Sequence, residues 1–564
     1  MSAPSAAQDA PPHEHAGQLQ RLARRGTVSV IGAGFSGVFG VALVVIVTNG
    51  FSQAVAGTLF AATAAFLILE SVALLGTDTG LVRWLPTHLA SGRAGDVRRT
   101  LVVAMAPVLV FSLVVGAAML LAAPTLAPHL VGDEQAGTMT GMLRVLALVL
   151  PVAALHDLVV AATRGAGSMR PTVVVENIGR LGLQAVLVLL AWVLGGGTTM
   201  LALAWAFAYV PGLLVSSLWL ARLVRRRSHG HAPTAGWSEI AHEFWSYTAA
   251  RGIARVTQTA LKRSDIVMVA ALAGPAEAAL YTAASRFIVL GQLFVQSVQQ
   301  ALSPQMSTLF ARGEDRAANT VFQAATRWSM IASWPLYLVL AAWAPLLMEV
   351  FGEGYSEASE VVVILSLTML LATACGPVDS VLLMAGRSWL SLRNSAIALA
   401  VNVGLNFVLI PLDGIRGAAT AWAVAIVVRN LLPLLQVRRQ LAMWPVTRPA
   451  LSVGAAAVGC FGLVGLVMLA RDPGPVADAS LTAVALAAYL ALVWSWREVL
   501  GLSAFRSALR RRERARAPGP RRVLSEPRDP ARSSPNGGWR ATGSAAYVAG
   551  SPAPAGLDAP RGDT

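Results

Sequence analysis

Residues 250–269 read ARGIARVTQTALKRSDIVMV, four cations, a glutamine and an aspartate inside an otherwise apolar or small-residue run. At 100° per residue on a helix, Arg251, Arg255, Gln258, Lys262 and Asp265 fall within an arc of about 80°, one polar stripe about 21 Å long. Arg263 falls outside it. Guanidinium and ammonium groups grouped in this way bind phosphate through charge-assisted hydrogen bonds, so the chemistry they suit is recognition of a diphosphate. A charge in mid-membrane must face protein or water, which turns the stripe toward an internal cavity. The competing reading leaves Arg251 and Arg255 on an extension beyond the bilayer and pairs Lys262 with Asp265, three residues on.

Other charges lie deep in apolar segments. Arg286 interrupts YTAASRFIVL and joins the cavity candidates. Glu176 and Arg180 have i, i+4 spacing in the favourable acid-first order, which suits a structural pair. Arg144, His156, Asp157, Glu70 and Asp379 read as cavity lining or helix-end charges. Asp78 and Arg83, in GTDTGLVRWLP, lie about 140° apart on a regular helix and should not pair with each other. They are candidate gate charges reaching the other half of the molecule, or solvated charges at a helix end. There is no phosphate-cradling glycine loop, no HExxH and no catalytic constellation. The sequence therefore predicts no enzyme, no metal and no cofactor, with any energy supplied by an ion gradient or the membrane potential.

The elements that position these residues follow from composition. Of 564 residues, 55% are hydrophobic and 13% charged, and the mean hydropathy is +0.61, values that belong to an integral membrane protein. The net charge of +15 comes from arginines in alternate loops, the positive-inside pattern, and implies no nucleic-acid partner. Lys262 is the sole lysine, and the two cysteines, Cys375 and Cys460, lie in apolar runs. No cleavable leader is read at the N-terminus. Cut at polar and Gly/Pro breaks, the chain yields fourteen segments long enough to span a bilayer. The expected fold is all-α and polytopic, with two six-helix lobes as parallel repeats around a central cavity, plus two C-terminal helices. The division is a cytoplasmic arm at 1–26, an N-lobe at 27–223, a linker at 224–242, a C-lobe at 243–440, helices 13 and 14 within 449–497, and a disordered basic tail at 498–564. Both termini are expected in the cytoplasm.

The lobes rest on internal repetition. LFAATAAFLIL at 59–69 aligns with LYTAASRFIVL at 280–290, and AGSMRPTVVVENIGRLGLQAVLVLL from 166 aligns with AGRSWLSLRNSAIALAVNVGLNFVLI from 385, both at an offset of about 220 residues. Pro107, Pro151, Pro211, Pro335, Pro377 and Pro433 lie within spans, where proline can give a helix a hinge.

RGTVSVIGAGFSGVFGVALVVIVTNGFSQAVAGTLFAATAAF with GTDTGLVRWLPTHLASG, TRGAGSMRPTVVVEN, and LMAGRSWLSLRNS with NVGLNFVLIPLDGIRGAATAWAVAIVVRNLL resemble bacterial oligosaccharide flippases of the multidrug/oligosaccharidyl-lipid/polysaccharide exporter superfamily. The resemblance covers roughly residues 20 to 500. It implies fourteen helices in two lobes and alternating-access movement of a polyprenyl-diphosphate-linked oligosaccharide across the plasma membrane, for cell-surface polysaccharide or lipopolysaccharide assembly. The partners it implies are the lipid-linked substrate, the bilayer, a polysaccharide polymerase and glycosyltransferases. A flippase for the lipid-linked peptidoglycan precursor, a multidrug antiporter of the same superfamily, and a membrane glycosyltransferase or polymerase are the alternatives. A cation-rich cavity favours a diphosphate over a cationic drug, and the short outer loops disfavour the enzymes.

Overall fold

The computed structural model describes Gly32 and residues 34–228, 230–471 and 474–500. The expected arm at 1–26 and almost all of the expected tail at 498–564 lie outside the described residues. Among the described residues there are helices and turns and no strand. In order they are α1 (Gly34–Gly50), α2 (Gln53–Ala73), α3 (Thr77–Ala90), α4 (Val97–Val131), α5 (Asp133–Gly165), α6 (Leu181–Val193), α7 (Thr198–Phe207), α8 (Tyr209–Ser228) and α9 (Trp237–Leu272). Then follow α10 (Pro275–Ala311), α11 (Asp315–Ala342), α12 (Ala344–Glu349), α13 (Ser359–Ala374), α14 (Val378–Met384), α15 (Ser388–Leu441), α16 (Arg448–Ala457), α17 (Leu463–Arg471) and α18 (Pro475–Ser495). A π-helical stretch, Thr172–Arg180, leads into α6.

This is a multi-pass membrane protein. Nine helical stretches among the described residues are long and apolar enough to cross a bilayer, and their outward faces expose Leu121, Val193, Leu214 and Leu490, side chains that lipid covers without cost. The fourteen-span count is not reached by that measure. α9, α10 and α11, each of which carries charged residues, are not among the nine, and α1 is a shorter apolar helix. α15 passes the measure as a single helix, yet Asp413 (φ −145°, ψ 27°) and Gly414 (φ 50°, ψ −130°) break it into two.

α2 is the central element. Ser52 caps it, accepting from the Val55 amide at 3.4 Å, and it packs on α5 in its own half and on α9 and α10 in the other. The two repeat copies at 59–69 and 280–290 lie on α2 and α10, so equivalent helices touch each other. Gly57 permits this: a Cβ there would stand 1.6 Å from the Pro275 carbonyl oxygen.

Residues 77–90, which carry the candidate gate charges Asp78 and Arg83, form α3, a short helix separate from α2 that Gly76 starts in the left-handed region at φ 76°. α8 runs to Ser228 and α9 begins at Trp237, both inside the stretch expected as a linker at 224–242.

Candidate functional site

α9 stands where the halves meet, packed on α2, α3 and α4 of the first half and on α10 and α15 of the second. Its arginine-rich end crosses α3 closely, with a Cβ on Gly76 falling 2.4 Å from the Gly252 amide nitrogen. That approach brings Arg255 to the first half. Its Nη1 donates to Asp78 Oδ2 at 2.6 Å, and its Nη2 lies 3.6 Å from Asp157 Oδ2. The Asp78 side chain is 8% exposed and that of Arg255 35%. Arg83 does not pair with Asp78; its guanidinium sits 4.1 Å from the Tyr247 ring centroid on α9, a cation–π contact between the halves. Arg255, expected as a free cation facing a diphosphate, is therefore held in an ion pair in this conformation.

Beside this junction lies a second charged group. Arg180 grips Glu176 at two points, Nε to Oε2 at 2.8 Å and Nη2 to Oε1 at 2.5 Å. Both residues sit on the π-helical stretch. The fully buried His156 joins them, its Nε2 2.8 Å from Glu176 Oε2, which fixes Nε2 as the protonated nitrogen when Glu176 is ionised. The Arg180 guanidinium packs 4.5 Å from the Tyr209 ring. Glu70, 4% exposed on α2, has Oε1 buried without a partner. The Glu176–Arg180 spacing was legible; His156 was not assigned to it, because it lies twenty positions before Glu176, across a turn between helices.

The rest of the α9 stripe behaves differently. Gln258 and Lys262 are exposed and Arg251 half-buried, and none of the three makes an ion pair among the described residues. Lys262 does not pair with Asp265. Asp265, 3% exposed, accepts from Asn406 Nδ2 at 2.9 Å and from Tyr281 Oη at 3.3 Å. α15 and α10 thus supply neutral donors that satisfy the carboxylate more closely than a flexible lysine one turn away. Asn406 Nδ2 also reaches Asn402 Oδ1 at 3.3 Å, and Ser264 Oγ reaches it at 3.4 Å. Arg286 lies half-buried on α10 with Nε lacking a partner. Arg144 is exposed on α5, and Asp379 accepts from Ser391 Oγ at the start of α15.

Two further contacts join the halves and escaped the sequence reading. At the arginine-rich end Asp96, fully buried, accepts from Thr234 N at 2.8 Å, Thr234 Oγ1 at 2.6 Å, Ala235 N at 3.2 Å and Arg93 Nε at 2.9 Å. This clasps the 229–236 connection to the first half, and Arg93 reaches on to Glu243 at 3.3 Å. At the opposite end Asn49 Nδ2 donates to the Val350 carbonyl at 3.1 Å and Gln53 Nε2 to that of Glu353 at 3.2 Å. The halves are bridged at both ends.

A family model described as polysaccharide biosynthesis protein matches residues 64–360. A probable low-salt glycan biosynthesis flippase, Agl15 of Haloferax volcanii, is 26% identical over 169 residues. That match covers 30% of this chain and spans 36% of the relative's length. Among solved structures, the lipid II flippase MurJ in an inward closed conformation superposes with a TM-score of 0.66 at 14% identity, covering 83% of this chain and 99% of that one. An inward-facing multidrug resistance MATE family transporter of the MOP superfamily gives 0.58 at 15% identity, over 72% of this chain and 94% of that one. A MOP superfamily transporter from Pyrococcus furiosus gives 0.52 at 15% identity, over 75% and 95%.

Proposed function

Because this chain belongs to the polysaccharide biosynthesis protein family, and its halves meet across a helix lined with cations, we propose that it is a flippase for a lipid-linked glycan. It moves a polyprenyl-diphosphate-linked oligosaccharide from the cytoplasmic to the outer leaflet of the plasma membrane, by alternating access, for cell-surface polysaccharide assembly. The observation that carries this reading is the α9 stripe. Lys262 is exposed on a helix that both halves pack against, so an anionic headgroup passing between the halves meets it. The structural relatives, all under 25% identical, support the fold alone; the glycan flippase of Haloferax volcanii, over the third of its length that matches, supports the substrate class.

In this reading the bridged conformation is a closed one. Arg255 holds the arginine-rich end shut through Asp78, and a diphosphate that competes for Arg255 opens it, since two phosphates offer the guanidinium more acceptor oxygens than one carboxylate. The six expected spans before residue 224 and the six between 243 and 440 rock as lobes, with both termini in the cytoplasm. An ion gradient or the membrane potential supplies the drive, and glycosyltransferases and a polymerase supply and consume the glycan. The test is translocation of a polyprenyl-diphosphate oligosaccharide in vesicles reconstituted with the purified chain. Transport that falls at least tenfold in Lys262→Gln supports the reading; no translocation by the unaltered, correctly folded chain sinks it.

A further inference from the structure

The second half brings more positive charge to the junction than a diphosphate neutralises. Lys262, Arg263, Arg286 and Arg429 form no ion pair among the described residues, whereas Arg180 and Arg255 each do. The charged neighbours of Lys262 are Arg429, Arg263 and Arg255, all cations, and Arg263 neighbours Arg286. Asp265 offers no relief, because its oxygens are turned to Asn406 and Tyr281. In the first half the carboxylates of Glu176, Asp78 and Asp157 are already engaged with Arg180 and Arg255, and Glu70, whose Oε1 has no partner, is one carboxylate against four cations. The Arg286 Nε–H is buried with no acceptor, a donor that a bound anion would satisfy.

The depth of these groups separates two levels. α9 and α10 are consecutive and joined by the short turn at Ala273 and Gly274. Counting back from Leu272 and forward from Pro275 places Lys262, Arg263 and Arg286 all about 14–16 Å from that turn, at one level. Arg255 lies about 10 Å farther along α9, roughly two helical turns. A diphosphate esterified at both ends carries one negative charge per phosphorus, so it balances only part of this set. In a water-poor interior, unbalanced cations are costly unless the ligand brings further anions.

We propose that the glycan carried by this chain is acidic, with a sugar carboxylate held by Arg263 and Arg286 while Lys262 and Arg429 hold the diphosphate. The division follows the side chains. The planar guanidinium fork matches a carboxylate at two points, and the ammonium of Lys262 serves a phosphate as a point charge. This assignment rests on the flippase reading and narrows its substrate class.

The experiment compares two probes in vesicles reconstituted with the full chain: an undecaprenyl-diphosphate disaccharide ending in glucuronate, and the same lipid ending in glucose. Translocation of each is followed, together with binding of each to the detergent-solubilised protein. The acidic probe should move about tenfold faster, the factor one charge-assisted contact supplies. Arg263→Gln and Arg286→Gln should each bring the acidic-to-neutral ratio toward one, and Arg286→Lys should retain part of the preference. If either variant fails to fold, the ratio in the unaltered protein and in the other variant still decides. Equal rates for both probes in the unaltered protein, or a ratio that neither glutamine variant moves, would overturn the acidic-glycan assignment and leave the flippase reading standing. Neither probe bound nor moved would remove both.

Discussion

Arg255 and Lys262 share one helix face and have opposite circumstances. Arg255 is committed to Asp78, whose Oδ1 is already buried without a partner, so Arg255→Gln strands a carboxylate that is almost entirely enclosed. Its cost should be on the order of 2 kcal/mol, between the values for exposed and buried pairs because Arg255 itself is partly exposed. The double variant with Asp78→Asn should recover most of that loss, read as melting temperature in detergent; additive losses would show that the pair does not hold the halves together. Lys262→Gln should leave the melting temperature near its starting value and lower transport, and adding Asp265→Asn should rescue nothing, because Asp265 answers to Asn406 and Tyr281. Recovery in that double variant would restore the Lys262–Asp265 pairing that the structure lacks. The stripe was legible because helical periodicity places its members. Their partners were not: Asp78 is 177 residues from Arg255 and Asn406 is 141 from Asp265, and periodicity carries no information across such distances.

At the scale of elements, the informative junction is the crossing of α2 and α10. Gly57 leaves no room for a side chain there, with Pro275 backbone in its way. Gly57→Val should therefore force the helices apart and destabilise by about 1–3 kcal/mol, lowering the melting temperature, while Gly40→Ala on α1, where a Cβ meets nothing within 4 Å, should not. An unchanged melting temperature for Gly57→Val would mean that the two helices do not approach this closely. The touching of α2 and α10 was half legible, since the repeat paired residues 59–69 with 280–290 but could not say that the copies are neighbours. α3 is too short to count among the fourteen expected spans, and Gly76, Gly80 and Pro86 carry turn signals that tertiary packing overrides. The π-helical turn at Thr172–Arg180 leaves no mark in composition, since it differs from an α-helix only in which carbonyl each amide finds.

For the whole molecule, the alternation of arginine between loops predicts orientation. Reporters fused after residues 95, 228 and 444 should report the cytoplasm, and those after 132, 196 and 354 the outside; one inverted site would break the two-lobe arrangement. The position of the Gly57–Pro275 contact then sets the mechanics of that arrangement. From Gly57 to Leu74 α2 forms a lever of about 25 Å, after which the chain turns at Leu75 and Gly76 into α3 and Asp78. A tilt of about 10° around the contact would sweep that end through about 4 Å, enough to part Asp78 from Arg255 while the pivot stays seated. Opening the opposite end has no such leverage, because there the pivot itself must come apart along with the Asn49 and Gln53 bridges. If the halves rock as proposed, the two strokes would be unequal in effort, and the one that parts the Gly57 contact together with the Asn49 and Gln53 bridges would cost more.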